Sequence, residues 1–193
     1  MYTIVDDLDT RLGARIRIER QRRGWSLTEL AQKSGVSRAM INKVERGEAS
    51  PTASLLGRLS GAFGLTLSTL LARAEAIHAG RLSRAEDQLR WIDPATGYVR
   101  RQVAPAPGSD FPLDVVQVEL PAGASVSFPA AAYAFVRQLV WILGGCLTFI
   151  EGEATHRLGT GDCLELGAPA DCAFRNDQSG PCLYVVMVLK GAQ

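Results

Sequence analysis

The chain has 193 residues and a formal net charge of +1, from 21 Lys and Arg against 20 Asp and Glu. This length accommodates one large or two small domains, each with a core of its own. No secretory pattern opens the chain, and the longest apolar stretch, 139–150, is too short and too glycine-broken to span a bilayer. We therefore expect a cytoplasmic protein with no membrane partner.

The charge is distributed unevenly along the chain. Residues 1–76 carry twelve basic and eight acidic side chains, whereas residues 77–193 carry nine and twelve. The segment from Arg11 to Arg58 contains eleven basic and four acidic residues. A basic patch in a nearly neutral protein is typical of a phosphate-binding surface. Six of these bases crowd the first predicted helix: Arg11, Arg15, Arg17, Arg20, Arg22 and Arg23.

A short amphipathic helix is predicted to follow this basic segment. Ser26 and Glu29 have the spacing of a capping box, so the helix should begin after Ser26. Leu30 and Ala31 lie on its apolar side, and Gly35 is placed for a tight turn. The pattern therefore predicts a helix that ends just before a sharp change of direction.

A second short helix is predicted to open at Ser37, with Ile41 and Val44 on its buried side and a stop at Gly47. Arginine and asparagine can read guanine and adenine in the major groove. An ordinary αα-hairpin is the alternative interpretation, but the basic context favours a helix-turn-helix. The outer face carries the groove-reading side chains Arg38, Asn42, Lys43 and Arg46.

Residues 10–73 resemble the Xre/Cro-type helix-turn-helix domain. The resemblance rests on Ser26, 35–37, Ile41, 45–47 and Pro51, followed by an apolar stripe from Leu55 to Leu71. It implies a five-helix all-α bundle that binds double-stranded DNA. The residues that it assigns to DNA contact are Ser26, Thr28, Ser37, Arg38, Ala39, Asn42, Lys43 and Arg46.

From Leu89 onward the pattern changes to short strands between turn residues. Residues 91–99 read as a hairpin around Pro94 and Gly97. Many short strands at regular spacing indicate a sandwich or closed barrel. Further strands are predicted at 115–120, 125–128, 139–143, 146–150, 163–166 and 183–189.

Residues 88–190 are similar to a cupin, a small jelly-roll barrel, through the turns at 120–123, 140–145 and 161–176. Catalytic cupins hold a metal through a His-x-His pair, an acid and a later His. The resemblance places these positions at Pro129, Ala131, Gln138 or its neighbour Arg137, and Cys172. None is the expected residue, so we predict no metal, no cofactor, no catalytic residue and no enzyme activity.

The two histidines do not change this prediction. His78 lies in the linker region, and His156 is expected to be a solvated side chain in a hairpin. The four cysteines lack metal-site spacing and are expected to be reduced and mostly buried.

A barrel of this kind has a mouth lined by inward side chains, where apolar walls and a few polar groups can bind a small molecule. An arginine would pair with a carboxylate, and Tyr133 or Trp141 would contact an apolar body. The candidate effector-binding residues are Tyr133, Phe135, Arg137, Gln138, Trp141, Cys172, Phe174 and Tyr184.

Together the two halves resemble the Xre-cupin transcriptional regulators. We expect a DNA-binding domain at 1–75, a linker at 76–87 and a cupin-type effector-binding and dimerisation domain at 88–193. The resemblance implies control by an unknown small-molecule effector. Because a single small domain makes few base contacts, we also expect a homodimer on an inverted-repeat operator. Two alternatives remain open: a redox sensor that switches through Cys172 or Cys163, and a cupin enzyme fused to a DNA-binding domain.

Overall fold

The computed structural model describes residues 4–74, 82–104 and 111–190. A helical bundle comes first and a double-layered antiparallel barrel follows, which confirms the predicted fold class. His78 lies outside the described residues. The five helices are α1 (Ile4–Arg22), α2 (Leu27–Ser34), α3 (Arg38–Glu45), α4 (Ala53–Phe63) and α5 (Leu67–Ala74).

The predicted capping signals account for the ends of α2 and the start of α3. The Ser26 hydroxyl accepts a hydrogen bond from the Glu29 amide, and the Glu29 carboxylate accepts one from the Ser26 amide, which completes the capping box. Gly35 adopts φ 66°, and its amide donates to the Ala31 carbonyl. The Ser37 hydroxyl caps α3 by accepting from the Met40 amide. These caps fix the turn between the two short helices.

The helices bury one apolar stripe each in a shared centre. Leu12 and Ile16 of α1 meet Leu30 of α2 and Ile41 and Val44 of α3, and all five side chains are fully buried. This burial supplies most of the stability, because helices of eight residues are marginal in isolation.

The barrel consists of two antiparallel sheets packed face to face. One sheet has the strand order β1-β2-β3-β10-β5-β8 and the other β4-β9-β6-β7. The strands are β1 (Arg90–Ile92), β2 (Val99–Ala104), β3 (Leu113–Leu120), β4 (Ser125–Phe128), β5 (Val136–Gly144), β6 (Cys146–Glu151), β7 (Ala154–Gly159), β8 (Cys163–Glu165), β9 (Cys172–Arg175) and β10 (Cys182–Lys190).

His156 lies in the predicted hairpin, formed by β6 and β7, but its side chain is only partly solvated. The residue lies on β7, is half-buried and stacks on Phe149, with ring centroids 6.4 Å apart and planes 25° from parallel. The ring of Phe149, opposite His156 on the neighbouring strand, offers the imidazole a stacking partner. This contact depends on the strand register, which the local sequence does not reveal.

The helical bundle packs directly against the barrel through α4. A Cβ on Gly57 would lie 2.6 Å from the ring of Phe128, and a Cβ on Gly61 would lie 2.9 Å from the backbone of Ala131. Only glycine permits such a close approach. The buried Asp93 side chain, in the β1–β2 turn, accepts a hydrogen bond of 3.1 Å from the Ala53 amide at the start of α4.

A second contact joins α5 to the barrel. The buried guanidinium of Arg100, on β2, donates a hydrogen bond to the Ser68 hydroxyl of α5. The bundle and the barrel therefore share one continuous hydrophobic core, with polar contacts at its edge.

Within the described part of the chain, no single helix has the length and apolar character needed to cross a membrane. The helices α4 and α5 meet these criteria only when they are taken together, and they are bent by 94° relative to each other.

A buried carboxylate ties α1 to α5. Glu19 is 1% exposed, and it accepts hydrogen bonds from Arg23 at 2.8 Å and from Arg73 at 3.0 Å. Burial acts to raise the pKa of Glu19, but the bonds from Arg23 and Arg73 outweigh it, so the pKa lies below its usual 4.5. The ionised form of Glu19 therefore stabilises the folded state.

We predict that Glu19→Gln lowers the free energy of unfolding at neutral pH. Because the folded pKa is depressed, the contribution of Glu19 is complete above pH 4.5 and is lost as the pH falls through the folded pKa. The difference between wild type and variant should thus shrink on acidification in urea denaturation series. Glu86→Gln, at an exposed acid, is the control. A difference that stays constant with pH would contradict this role.

Candidate DNA interface and barrel cavity

The helix α3 presents a polar outer face opposite its buried one. Ile41 and Val44 are fully buried, whereas Arg38, Ala39 and Lys43 are exposed. Asn42 is half-buried. A helix fixed on one side and polar on the other has the geometry that enters the major groove.

The remaining predicted DNA-contact residues lie close to this helix in the fold. Ser26 and Thr28 are exposed at the start of α2, and Ser37 is exposed at the start of α3. Arg46 caps the end of α3 and forms an ion pair of 2.8 Å with Glu48. The structure brings all eight predicted residues to the α2–α3 unit, and their contact with DNA stays a prediction.

Sequence reasoning missed Met40 as a member of this surface. It lies on α3, next to Ala39, and its side chain is 39% exposed. An exposed apolar side chain beside the predicted DNA-contact residues has the chemistry to contact the methyl group of thymine. Its helical position, three residues before exposed Lys43, was the available signal.

A buried ion pair holds α3 against α1. The guanidinium of Arg20 donates two hydrogen bonds of 2.7 Å to the carboxylate of Glu45, and a third of 2.9 Å to the Trp25 carbonyl. The hydrogen bond to Glu45 raises the pKa of Arg20 above its usual value. A bidentate pair fixes distance and orientation together, so it sets the position of α3 on the bundle.

Fewer arginines in and directly after α1 are available to bind phosphate than the sequence suggested. Two arginines of α1 and one directly after it pair with carboxylates inside the bundle: Arg20 with Glu45, and Arg15 and Arg23 with Glu19. Arg17 and Arg22 are exposed. Internal pairing was invisible in the sequence, because it depends on acids distributed over the fold. Fewer phosphate contacts are therefore expected than eleven bases suggested.

The barrel contains a cavity of about 260 Å³ beside the start of β5 and the end of β6. This volume is suited to a small organic molecule. Its walls combine apolar groups with a few polar ones, and they are formed by Tyr133, Val136, Arg137, Gln138, Glu151, Leu166, Gly167, Pro169, Ala170 and Cys172.

Four of the eight predicted effector residues line this cavity: Tyr133, Arg137, Gln138 and Cys172. The other four do not. Phe174 and Tyr184 stack on each other in the barrel core, with ring centroids 5.8 Å apart and planes 3° from parallel. Phe135 and Trp141 are 58% and 44% exposed and point away from the interior. These four residues therefore do not line this cavity, and the effector-binding role of the other four stays a prediction.

The alternation of β5 explains the position of Trp141. Val140 and Ile142 are fully buried, whereas Leu139 and Trp141 are more than one third exposed. Successive side chains of a strand point to opposite faces, so Trp141 belongs to the outer face. The run 139–143 is apolar throughout, and the sequence therefore gave no indication of which parity faces inward.

Glu151 is a cavity residue that sequence reasoning missed. It ends β6, and it shares strand parity with Leu147 and Phe149, which are both fully buried. This parity directs Glu151 toward the interior, where it lies opposite Cys172 on β9. The two-residue spacing from buried Phe149 was the signal that could have found it.

Cys172 and Tyr133 form a polar pair in the cavity wall. The Cys172 thiol donates to the Tyr133 hydroxyl at 3.0 Å. Burial raises the pKa of Cys172 to about 11, and it also raises the pKa of Tyr133 well above its usual value. Since the thiolate is the reactive form, this environment argues against a redox switch at Cys172. Cys163 is exposed on β8.

Two of the positions that hold a metal in catalytic cupins, Pro129 and Ala131, lie beside the contact with the helical bundle. Pro129 precedes the short helical turn Ala130–Ala132, and Ala131 packs toward α4. Neither side chain carries a ligating atom, and the described residues include no cluster of three His, Cys, Asp or Glu side chains suited to a metal.

Comparisons with known proteins agree with the helical geometry. The helix-turn-helix family HTH_3 matches residues 16–70. The regulator SutR of Escherichia coli is 44% identical over 52 residues, which cover 27% of this chain and 29% of SutR. SlrR of Bacillus subtilis is 34% identical, and 52% of its length is covered. The chain thus spans about half or less of these two relatives.

Two further proteins are matched over most of their length. SinR of Bacillus subtilis, named an HTH-type transcriptional regulator, is 31% identical over 93 residues, 47% of this chain and 84% of SinR. An HTH_3 family transcriptional regulator from Vibrio cholerae has a crystal structure that covers 96% of this chain and 99% of that one, with a TM-score of 0.77. Its sequence identity is 20%, so it supports the fold alone. The α2–α3 geometry and the similarity to SinR show that this chain belongs to the HTH_3 family of helix-turn-helix transcriptional regulators.

Proposed function

We propose that this regulator binds an inverted-repeat operator through α3, and that a small organic effector in the barrel cavity changes its affinity for DNA. Residues 1–75 serve as the DNA-binding domain and residues 88–193 as the sensor and dimerisation domain, joined by the linker 76–87. The observation that carries the proposal is the packing of the cavity wall against the DNA-binding bundle.

The path from the cavity to the bundle is short. Tyr133 lines the cavity and directly follows the turn Ala130–Ala132. This turn packs on α4 at Gly61, and the ring of Phe128, which packs at Gly57, meets Tyr133 edge-on with centroids 6.2 Å apart. An occupant that moves Tyr133 would therefore move the surface on which α4 rests.

From α4 the path continues to the DNA-binding unit. The helix α4 packs on α2, and α2 packs on α3. Close-packed elements transmit small displacements because the interior resists compression. An effector that prefers one arrangement by about 1–3 kcal/mol would change operator affinity roughly 5- to 150-fold.

Binding without catalysis is the role that the cavity chemistry supports. The Cys172 thiol, with a pKa of about 11, is a poor nucleophile at neutral pH. Pro129 and Ala131 supply no metal-ligating side chain at the positions where catalytic cupins carry histidines. Cupin enzymes share the barrel fold, but fold alone does not assign chemistry.

We propose that the second copy of the chain packs on the outer face of the six-stranded sheet. Leu139, Trp141 and Leu189 are 37%, 44% and 45% exposed on the neighbouring strands β5 and β10. Their register places all three on one face. An apolar sheet face of this kind is suited to a two-fold interface, and two copies would present two DNA-binding domains to an inverted repeat.

We predict that Asn42→Ala weakens binding to the preferred operator by about 1–3 kcal/mol and relaxes its sequence preference, because a base contact is lost. Arg17→Ala should instead weaken all sequences equally and flatten the salt dependence. Operators selected from random DNA would serve in gel-shift titrations, with Gln178→Ala on the barrel surface as the control. Unchanged binding for both Asn42→Ala and Arg38→Ala would exclude this placement of DNA.

We predict that Gly61→Ala changes operator affinity by about 5-fold or more without touching DNA. The added methyl group meets the Ala131 backbone at 2.9 Å, so α4 must shift relative to the barrel. Gly144→Ala is a matched control, because nothing lies within 4 Å of its Cβ position. Thermal melting would verify that both variants fold. Equal affinities for Gly61→Ala and wild type would rule out this contact as the coupling route.

We predict that Trp141→Glu converts the dimer to a monomer, because the substitution places two charges in an apolar two-fold interface. Light scattering at micromolar concentration would measure the mass. Leu82→Glu, at an exposed apolar residue outside the six-stranded sheet, should leave the dimer intact. A monomeric wild-type protein, with and without operator, would refute the dimer.

A further inference from the structure

The two charged residues of the cavity differ in where their charge is directed. Arg137 shares strand parity with exposed Leu139 and Trp141, and its guanidinium forms an ion pair with Glu165 on β8. The Arg137 side chain is 75% exposed. Its positive charge is therefore turned to solvent and already paired, which leaves it little capacity to bind an anion inside the cavity.

Glu151 is the charged group that faces the cavity interior. Its strand parity matches that of buried Leu147 and Phe149, and its charge contributes to the raised pKa of Cys172, for which burial is the largest cause. One carboxylate oxygen accepts a hydrogen bond of 2.9 Å from the Gly167 amide. Among the described residues no Lys, Arg or His forms an ion pair with Glu151.

The other polar groups of the cavity can also accept hydrogen bonds. Gln138 shares the inward parity of Val140 and lines the wall with its amide. The Tyr133 hydroxyl accepts from the Cys172 thiol. Apolar contacts come from Val136, Leu166 and Pro169. The cavity thus combines one unpaired carboxylate, an amide and a short apolar wall.

We infer that the effector is a small organic ammonium compound whose charged nitrogen binds the Glu151 carboxylate. This inference rests on the proposed sensor function and names the class of its ligand. The half-buried Glu151 carboxylate lies beside the apolar wall with no cationic partner among the described residues, and an ammonium ion would pair with its charge while it donates hydrogen bonds. The apolar wall then contacts the carbon chain. The sequence suggested that an arginine of the protein pairs with a carboxylate of the effector. The cavity instead offers a carboxylate of the protein to a cation of the effector.

The test uses the full chain and three probes of equal chain length: n-butylammonium, n-butanol and butyrate. Isothermal titration should detect binding of n-butylammonium at millimolar concentration, with weaker binding of butanol and none of butyrate. Glu151→Gln should reduce the affinity for n-butylammonium about 10-fold or more, because a charge-assisted hydrogen bond is lost. The amide of the variant retains an acceptor for the Gly167 amide.

Glu153→Gln is the matched control, since it removes the same charge from an exposed position two residues away. It should leave the affinity unchanged. Absence of n-butylammonium binding, full affinity in Glu151→Gln, or tighter binding of butyrate that Arg137→Ala abolishes would each overturn the inference. The last result would leave the sensor function intact. Conversely, Glu151-dependent binding that never alters operator affinity would contradict the sensor function and uphold the ligand class.

Discussion

The close contact between α4 and the barrel is the constraint on which the rest of the structure depends. Gly57 and Gly61 lack side chains at the two points where Phe128 and Ala131 approach, so the helix lies against the barrel backbone. This approach merges two cores that would otherwise be separate. It also places the DNA-binding unit on one side of α4 and the cavity wall on the other. A rigid connection of this kind differs from two domains on a flexible tether, whose relative orientation averages out.

The helical half of the fold was predictable because its signals are local. A capping box, a glycine turn and an apolar stripe each occupy fewer than ten residues, and the structure of 26–46 follows them closely. The charge pattern was less reliable. Arg20 and Arg23 look like surface bases in the sequence, yet Glu45 and Glu19 neutralise them within the bundle. Pairing of this kind depends on tertiary structure, which composition does not encode.

The cavity was harder to predict than the barrel around it. Turns specified the strands, but the direction of each side chain depends on strand parity, and an apolar run such as 139–143 fits either parity. Trp141 was therefore only a candidate for the cavity, and its 44% exposure shows that it lies on the outer face. Glu151 was not predicted to line the cavity, because a charged residue at a strand end is ordinarily assumed to be solvated. Only the observed register showed that it faces the interior.

The hydrogen bond from Ala53 to Asp93 makes the start of α4 depend on the barrel. A barrel residue satisfies a backbone amide at the start of a helix that belongs to the DNA-binding bundle. A recombination event that joined this bundle to another barrel would leave that amide without its acceptor and expose the face of α4 that Phe128 covers. A related bundle that lacks the barrel therefore needs water or another side chain to accept from this amide, and a different cover for this face of α4.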